Sequence, residues 1–166
     1  ELYLPLLNNK KIAIVSNHTS KFYFNNKSIH LVDSLLKLDV NIIKVFAPEH
    51  GFRGNSDAGE KVVNTIDSKT GLPIISLYGD MKKPLKNDLK NIDIIIFDIQ
   101  DVGVRFYTYL STLHYIMESC AENNIDLIVL DRPNPNGHYI DGPVMRKESM
   151  SFIGLHPVPI VYGMSI

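Results

Sequence analysis

The stretch Asn91-Ile92-Asp93-Ile94-Ile95-Ile96-Phe97-Asp98-Ile99-Gln100-Asp101 decides the fold. Its core, 94–97, is four apolar residues in a row, and the chain then enters a polar cluster at once. A strand with one wet face would alternate apolar and polar residues. A run without alternation suits a strand covered on both faces in a parallel sheet. Four more runs have this character, at 12–15, 42–46, 74–77 and 127–130.

Helix-period segments separate them. Ile29, Val32, Leu35 and Leu36 repeat at helical spacing behind Ser28, a plausible N-cap. Pro84 suits the first turn of a short helix reaching about Lys90. A longer helix is expected after Arg105, with Tyr109, Leu113, Ile116, Met117 and Cys120 on one side and Met117 and Cys120 as core filler. Strands alternating with helices predict an α/β fold: a doubly wound, mostly parallel, Rossmann-like sheet with helices on both faces. Residues 51–71 form a long polar stretch with several glycines, and segments of that kind inside a domain are usually functional. The proline-rich tail from Arg132 is expected to wrap the sheet edge or lead elsewhere.

Composition bounds the function. The 166 residues suit one domain; 45% are apolar, 21% charged, and the net charge is −1. That balance gives no electrostatic footprint for nucleic acid or an anionic membrane, and no apolar run approaches the ~20 residues of a membrane span. The lone Cys120 excludes an internal disulfide framework and a cysteine zinc site. The chain opens on Glu1 without a signal-like segment, so a trimmed start with its targeting region removed is expected.

The polar residues collect where the strands end. The five runs lead into Asn17-His18-Thr19, Pro48-Glu49-His50-Gly51, Tyr78-Gly79-Asp80, Asp98-Ile99-Gln100-Asp101 and Asp131-Arg132-Pro133-Asn134. Ligands of open parallel sheets bind outside the carboxyl ends of the strands. Each residue alone reads as turn chemistry; together they read as a site. It is not a nucleotide site. No G-x-G-x-x-G follows a strand, and the glycine pair Gly54 and Gly59 is followed by Glu60-Lys61 where a phosphate loop needs Lys and then Ser or Thr. No cofactor and no metal are expected, since histidines at ligand spacing are absent, although His18, Glu49 and His50 keep a metal-dependent hydrolase as the weakest alternative.

Several long motifs resemble the NamZ-type exo-β-N-acetylmuramidase family: Phe46-Ala47-Pro48-Glu49-His50-Gly51-Phe52-Arg53-Gly54, Asp57-Ala58-Gly59-Glu60-Lys61-Val62, Ser76-Leu77-Tyr78-Gly79, Asp98-Ile99-Gln100-Asp101-Val102-Gly103-Val104-Arg105-Phe106-Tyr107-Thr108-Tyr109 and Leu130-Asp131-Arg132-Pro133-Asn134-Pro135. The resemblance runs from about Leu7 to the end and implies a single N-terminal catalytic domain over 1–166. The family's C-terminal domain is absent from this chain, and the cleft is expected between the two. The implied activity is release of terminal, non-reducing β-linked N-acetylmuramic acid from peptidoglycan fragments in cell-wall recycling. The implied location is periplasmic or secreted. A non-catalytic cell-wall carbohydrate-binding domain is the alternative.

Glycoside hydrolysis needs an acid for the leaving oxygen and usually a second carboxylate. The resemblance places the catalytic glutamate at Glu49, and a carboxyl partly buried in such a rim keeps its proton more readily, as a general acid requires. Asp101 leads for the second group, with Asp57 and Glu60 behind it; alternatively the substrate's own acetamido group attacks. The lactyl carboxylate of muramic acid calls for a cation, and Arg105, then Arg53 and Arg132, follow strand ends. Tyr78 and Tyr107 are candidates for sugar stacking, as is Tyr109 where it does not serve the helix core. Asn17, His18, His50, Gln100 and Asn134 complete the expected substrate-binding set.

Overall fold

Strand β1 (Ile12–Ser16) is buried along its whole length and is the axis of the molecule. Its side chains alternate between two cores. Ile12 and Ile14 join Val45, Ala47, Ile74, Ile94 and Ile96 beneath α1 (Leu31–Lys37), which contributes Val32 and Leu35. Ala13 and Val15 join Phe46, Ile95 and Phe97 beneath α2 (Tyr109–Asn123), which contributes Leu113, Ile116 and Cys120. In the computed structural model, which describes residues 3–54 and 63–166, the sheet is therefore covered by one helix on each face.

The remaining strands are β2 (Lys21–Phe24), β3 (Lys27–His30), β4 (Ile42–Ala47), β5 (Thr65–Ile66), β6 (Pro73–Ser76), β7 (Ile94–Asp98) and β8 (Asp126–Val129). The main sheet runs β5-β6-β4-β1-β7-β8, parallel except for the short edge pairing of β5 on β6. This is an α/β, mostly parallel, doubly wound sheet, and the chain reverses its direction of strand addition between β1 and β7. Such a switch point opens a crevice at the strand carboxyl ends.

The five expected parallel strands match β1, β4, β6, β7 and β8. Four local expectations need correction. Ser28 does not cap a helix; it lies in β3, the second strand of a separate β2–β3 hairpin. Asn25 and Asn26, both at positive φ, make the tight turn that twisted hairpins require. The helix begins three residues later, capped by His30. The residues after Pro84 form turns rather than a helix. Met117 is 54% exposed, because helical geometry puts it about 70° round from the stripe centred on Leu113, Ile116 and Cys120. Finally, β8 is an edge strand whose residues are partly or largely exposed rather than covered on both faces.

The tail returns to the sheet. Val161 forms bridges with both Val104 and Asp141, and the Arg105 N–H donates to Ile160 O at 2.9 Å. Among the described residues, no helix is long and apolar enough to cross a membrane.

Candidate active site

The turn after β1 is built on Asn17, which is fully buried. Its Oδ1 accepts the Thr19 N–H at 2.8 Å and the Thr19 hydroxyl at 2.6 Å. Its carbonyl lies 2.9 Å from His30 Nε2. His30 Nδ1 accepts the Val32 N–H at 3.3 Å, so the ring proton sits on Nε2 and is donated to Asn17. Burial is the main force holding the His30 pKa down, and Arg53 and Lys21 add to it. A neutral histidine thus ties the start of α1 to the end of β1. Thr19 Oγ1 also accepts the Gln100 N–H at 3.1 Å, which links the ends of β1 and β7 across the switch point.

A pocket of about 360 Å³ opens over this link, lined by His18 and Thr19 after β1, His50 and Gly54 after β4, Gln100 and Val102 after β7, and Tyr107 and Tyr109 at the start of α2. The His18 and His50 rings meet edge to face at 6.4 Å. Burial first, then the charges of His50 and Lys21, lower the His18 pKa. Gly54 is required here: it sits at φ +76°, and a Cβ would lie 2.9 Å from His18 Cβ and Cγ. On its far side His18 also lines a second pocket of about 440 Å³ that contains Lys21, Arg53 and Lys69.

Glu49 does not line the first pocket itself but directly precedes His50, which does. The chain leaves β4 through Pro48 and reverses at His50 and Gly51, with φ of 69° and 71°. Among the described residues His50 is alone in having positive φ without being Gly, Asn or Asp, a conformation that side chains adopt at a cost and that clusters at functional sites. The reversal leaves Glu49 half-buried. The Thr108 hydroxyl donates to Glu49 Oε2 at 2.9 Å. Burial, and then its hydrogen bond and proximity to Glu49, raise the Tyr78 pKa. Tyr109 is pushed up to about 12 by burial and then by the Glu49 charge; the Asn17 amide opposes this while facing the Tyr109 hydroxyl too loosely for a formed hydrogen bond. Glu49 thus accepts the Thr108 hydroxyl, and its charge acts on Tyr78 and on Tyr109, which lines the pocket.

The other expected residues, Gln100 apart, fall elsewhere. Asp101 is 2% exposed, and its Oδ2 accepts the Gly103 N–H at 3.0 Å and the Tyr162 hydroxyl at 2.6 Å. It anchors the returning tail. Arg53 pairs with Asp33 and Asp67, each at 2.8 Å. Arg132 gives both Nε and NH2 to Asp98 Oδ1, at 2.8 and 2.6 Å. Arg105 NH1 donates to the carbonyls of Pro143 and Val158, at 2.5 and 2.8 Å, which braces the tail. Asn134 donates to Met164 O at 2.7 Å and covers Gly103. Gln100 lines the pocket, with its amide nitrogen bonded to the carbonyls of Asp101 and Pro133. Asp57 and Glu60 lie outside the described residues. Among the described residues no three His, Cys, Asp or Glu side chains gather as a metal site.

Sequence reasoning missed Thr19, Thr108 and Lys21 as members of this region. Thr19 and Thr108 stand inside quoted motifs, but a threonine beside a turn or helix start reads locally as a cap.

The family described as exo-β-N-acetylmuramidase NamZ, N-terminal, matches residues 12–166. The chain is 47% identical over 166 residues to the peptidoglycan β-N-acetylmuramidase NamZ of Bacillus subtilis strain 168, covering 99% of this chain and 39% of that protein. Crystal structures of two DUF1343 family proteins from Bacteroides fragilis NCTC 9343 superpose with TM-scores of 0.83 and 0.86, at 50% and 40% identity. Each match covers 99% of this chain and 41% of the other. The chain thus spans about two fifths of the length of these relatives.

Proposed function

Since this chain belongs to the family of NamZ N-terminal domains, we propose that it is the catalytic part of a glycoside hydrolase that releases terminal, non-reducing β-linked N-acetylmuramic acid from peptidoglycan fragments. The observation that carries the reading is the placement of Glu49: half-buried, hydroxyl-held, and one residue from the wall of a pocket at the switch point. In this reading Glu49 protonates the glycosidic oxygen as the bond breaks, a role worth roughly 10²–10⁴ in rate. Asp101, tied to Gly103 and Tyr162, acts as an anchor. The second participant is then the substrate acetamido group or a carboxylate of 55–62. His18, His50, Gln100 and Tyr107 supply hydrogen bonds and a stacking face to the sugar. In a protein as long as the relatives, a second domain closes the crevice, and a periplasmic or secreted location follows from where the substrate is found.

The lactyl carboxylate still needs a cation. Two of the three arginines are paired with aspartates, and Arg105 is bonded to tail carbonyls. Lys21 lines the 440 Å³ pocket, and its charge acts on His18. Lys21→Met should lower kcat/KM on a muramide several-fold and leave a glucosaminide unaffected; equal losses on both would remove Lys21 from this role.

The test of the function is release of N-acetylmuramic acid from a β-linked N-acetylmuramyl disaccharide, whose sugar leaving group needs a proton, by the full-length protein, abolished in Glu49→Gln. Binding without turnover would favour the carbohydrate-binding alternative.

A further inference from the structure

Thr108 occupies the N-cap position of α2 but with helical φ and ψ of −70° and −7°, not the extended backbone from which a threonine hydroxyl bonds the free N–H groups of its own helix. Here it makes no such bond. The hydroxyl turns instead to Glu49 Oε2, 59 residues away in sequence. The residue is 6% exposed, and its carbonyl accepts both the Thr112 N–H at 2.9 Å and the Thr112 hydroxyl at 3.1 Å. Its backbone is therefore fixed by the helix, and one side-chain torsion alone sets where the hydroxyl points.

The chemistry of the pair goes beyond packing. A hydroxyl donates and accepts. It can donate to a carboxylate and, after a small rotation, accept from the protonated acid. An arginine or lysine partner can only donate, and so opposes protonation. Glu49 as a general acid must pass through both states in every turnover, and a hydroxyl remains a partner in each.

Resting on the reading of Glu49 as the acid, we infer that Thr108 is a positioning residue: its hydroxyl, given up by the helix cap, fixes the Glu49 carboxyl against the pocket in both protonation states. Charge-assisted hydrogen bonds are the stronger ones. Loss of the hydroxyl therefore favours the protonated acid and moves the basic limb of the activity profile to higher pH.

The experiment follows hydrolysis of a β-linked N-acetylmuramyl disaccharide, whose sugar leaving group needs the acid, across pH in the full-length protein with Thr108→Val, Thr108→Ser and Glu49→Gln. Thr108→Val should lower kcat at least tenfold with KM changed less than threefold, and the basic limb should move upward. Thr108→Ser should restore the limb and most of kcat. Thr108→Ala removes the same hydroxyl with less bulk and takes the place of the valine variant if that does not fold. A limb that stays put on removal of the hydroxyl, or a serine variant that fails to rescue, overturns the inference. Undiminished activity in Glu49→Gln would instead overturn the assignment of the acid.

Discussion

Two sets of acids sit near the same sheet edge and are held in opposite ways. Glu49 accepts the Thr108 hydroxyl, and its charge acts on Tyr78; the next residue, His50, lines an open pocket. Asp33, Asp67 and Asp98 are held by arginines, and Asp67 and Asp98 are buried. Around Asp33 and Asp67 burial raises the carboxyl pKa, but Arg53, with Lys69 or Thr70, overcomes it and leaves both below the usual carboxylate range. Asp98 goes the other way. It is fully buried, both Arg132 nitrogens reach its Oδ1, and Oδ2 has no partner, so burial outweighs the arginine and raises its pKa. A guanidinium fork locks a carboxylate in the charged state only when both oxygens are served. A hydroxyl brings no charge of its own and can stay bonded to a carboxyl in either protonation state. The first arrangement builds structure, and the second suits the role proposed for Glu49.

Stability measurements can break or sharpen this contrast. The largest effect is expected from Arg53→Met, which strips Asp33 and Asp67 together and should cost roughly 2–3 kcal/mol at neutral pH. Carboxyls with depressed folded-state pKa values add stability above their unfolded value and lose it as pH falls through the folded one. The gap between wild type and Arg53→Met should therefore be full at pH 7 and shrink below the ordinary carboxylate value of about 4. A gap constant down to pH 3 would mean that the pairs are not charge-locked. A smaller effect of opposite sign is expected at Asp98. Its raised pKa gives a contribution present at low pH and lost as pH rises through the folded-state value. Thermal melts of wild type minus Asp98→Asn should thus decline as pH increases, and a rising difference would show Asp98 to be charge-stabilised instead. The smallest effect is expected from Glu49→Gln. The amide keeps an acceptor for Thr108, so stability should stay within roughly 0.5 kcal/mol of wild type. A loss as large as that at Arg53 would place Glu49 among the structural acids.

The parts of this molecule that could be read in the sequence are those set by local pattern. Ile94 to Phe97 and Ile12 to Val15 announce buried parallel strands because both of their faces are apolar. The residues that follow them announce a rim, since topology brings strand ends together whatever the loops do. The β2–β3 hairpin was missed: Asn25-Asn26 is its turn signal, but the apolar spacing from Ile29 to Leu36 continues into α1 and masked the boundary at His30. The partners of the arginines were hidden for a different reason. Arg53 follows a strand end and looks available, yet its partners Asp33 and Asp67 are 20 and 14 residues away, and only the fold brings them into range. Asp101 shared that fate, since Tyr162, 61 residues on, closes over it. Long-range pairing decides which charged groups remain for substrate, and no local window contains it.

The central claim is that Glu49 delivers a proton to the departing oxygen. The most direct measurement compares wild type and Glu49→Gln in the full-length protein on β-N-acetylmuramides whose leaving groups range from acidic nitrophenols to a sugar hydroxyl. The prediction is a loss of roughly 10²–10⁴ with the sugar that shrinks towards nothing with the most acidic phenol, which departs without protonation. An equal loss with every leaving group would contradict it.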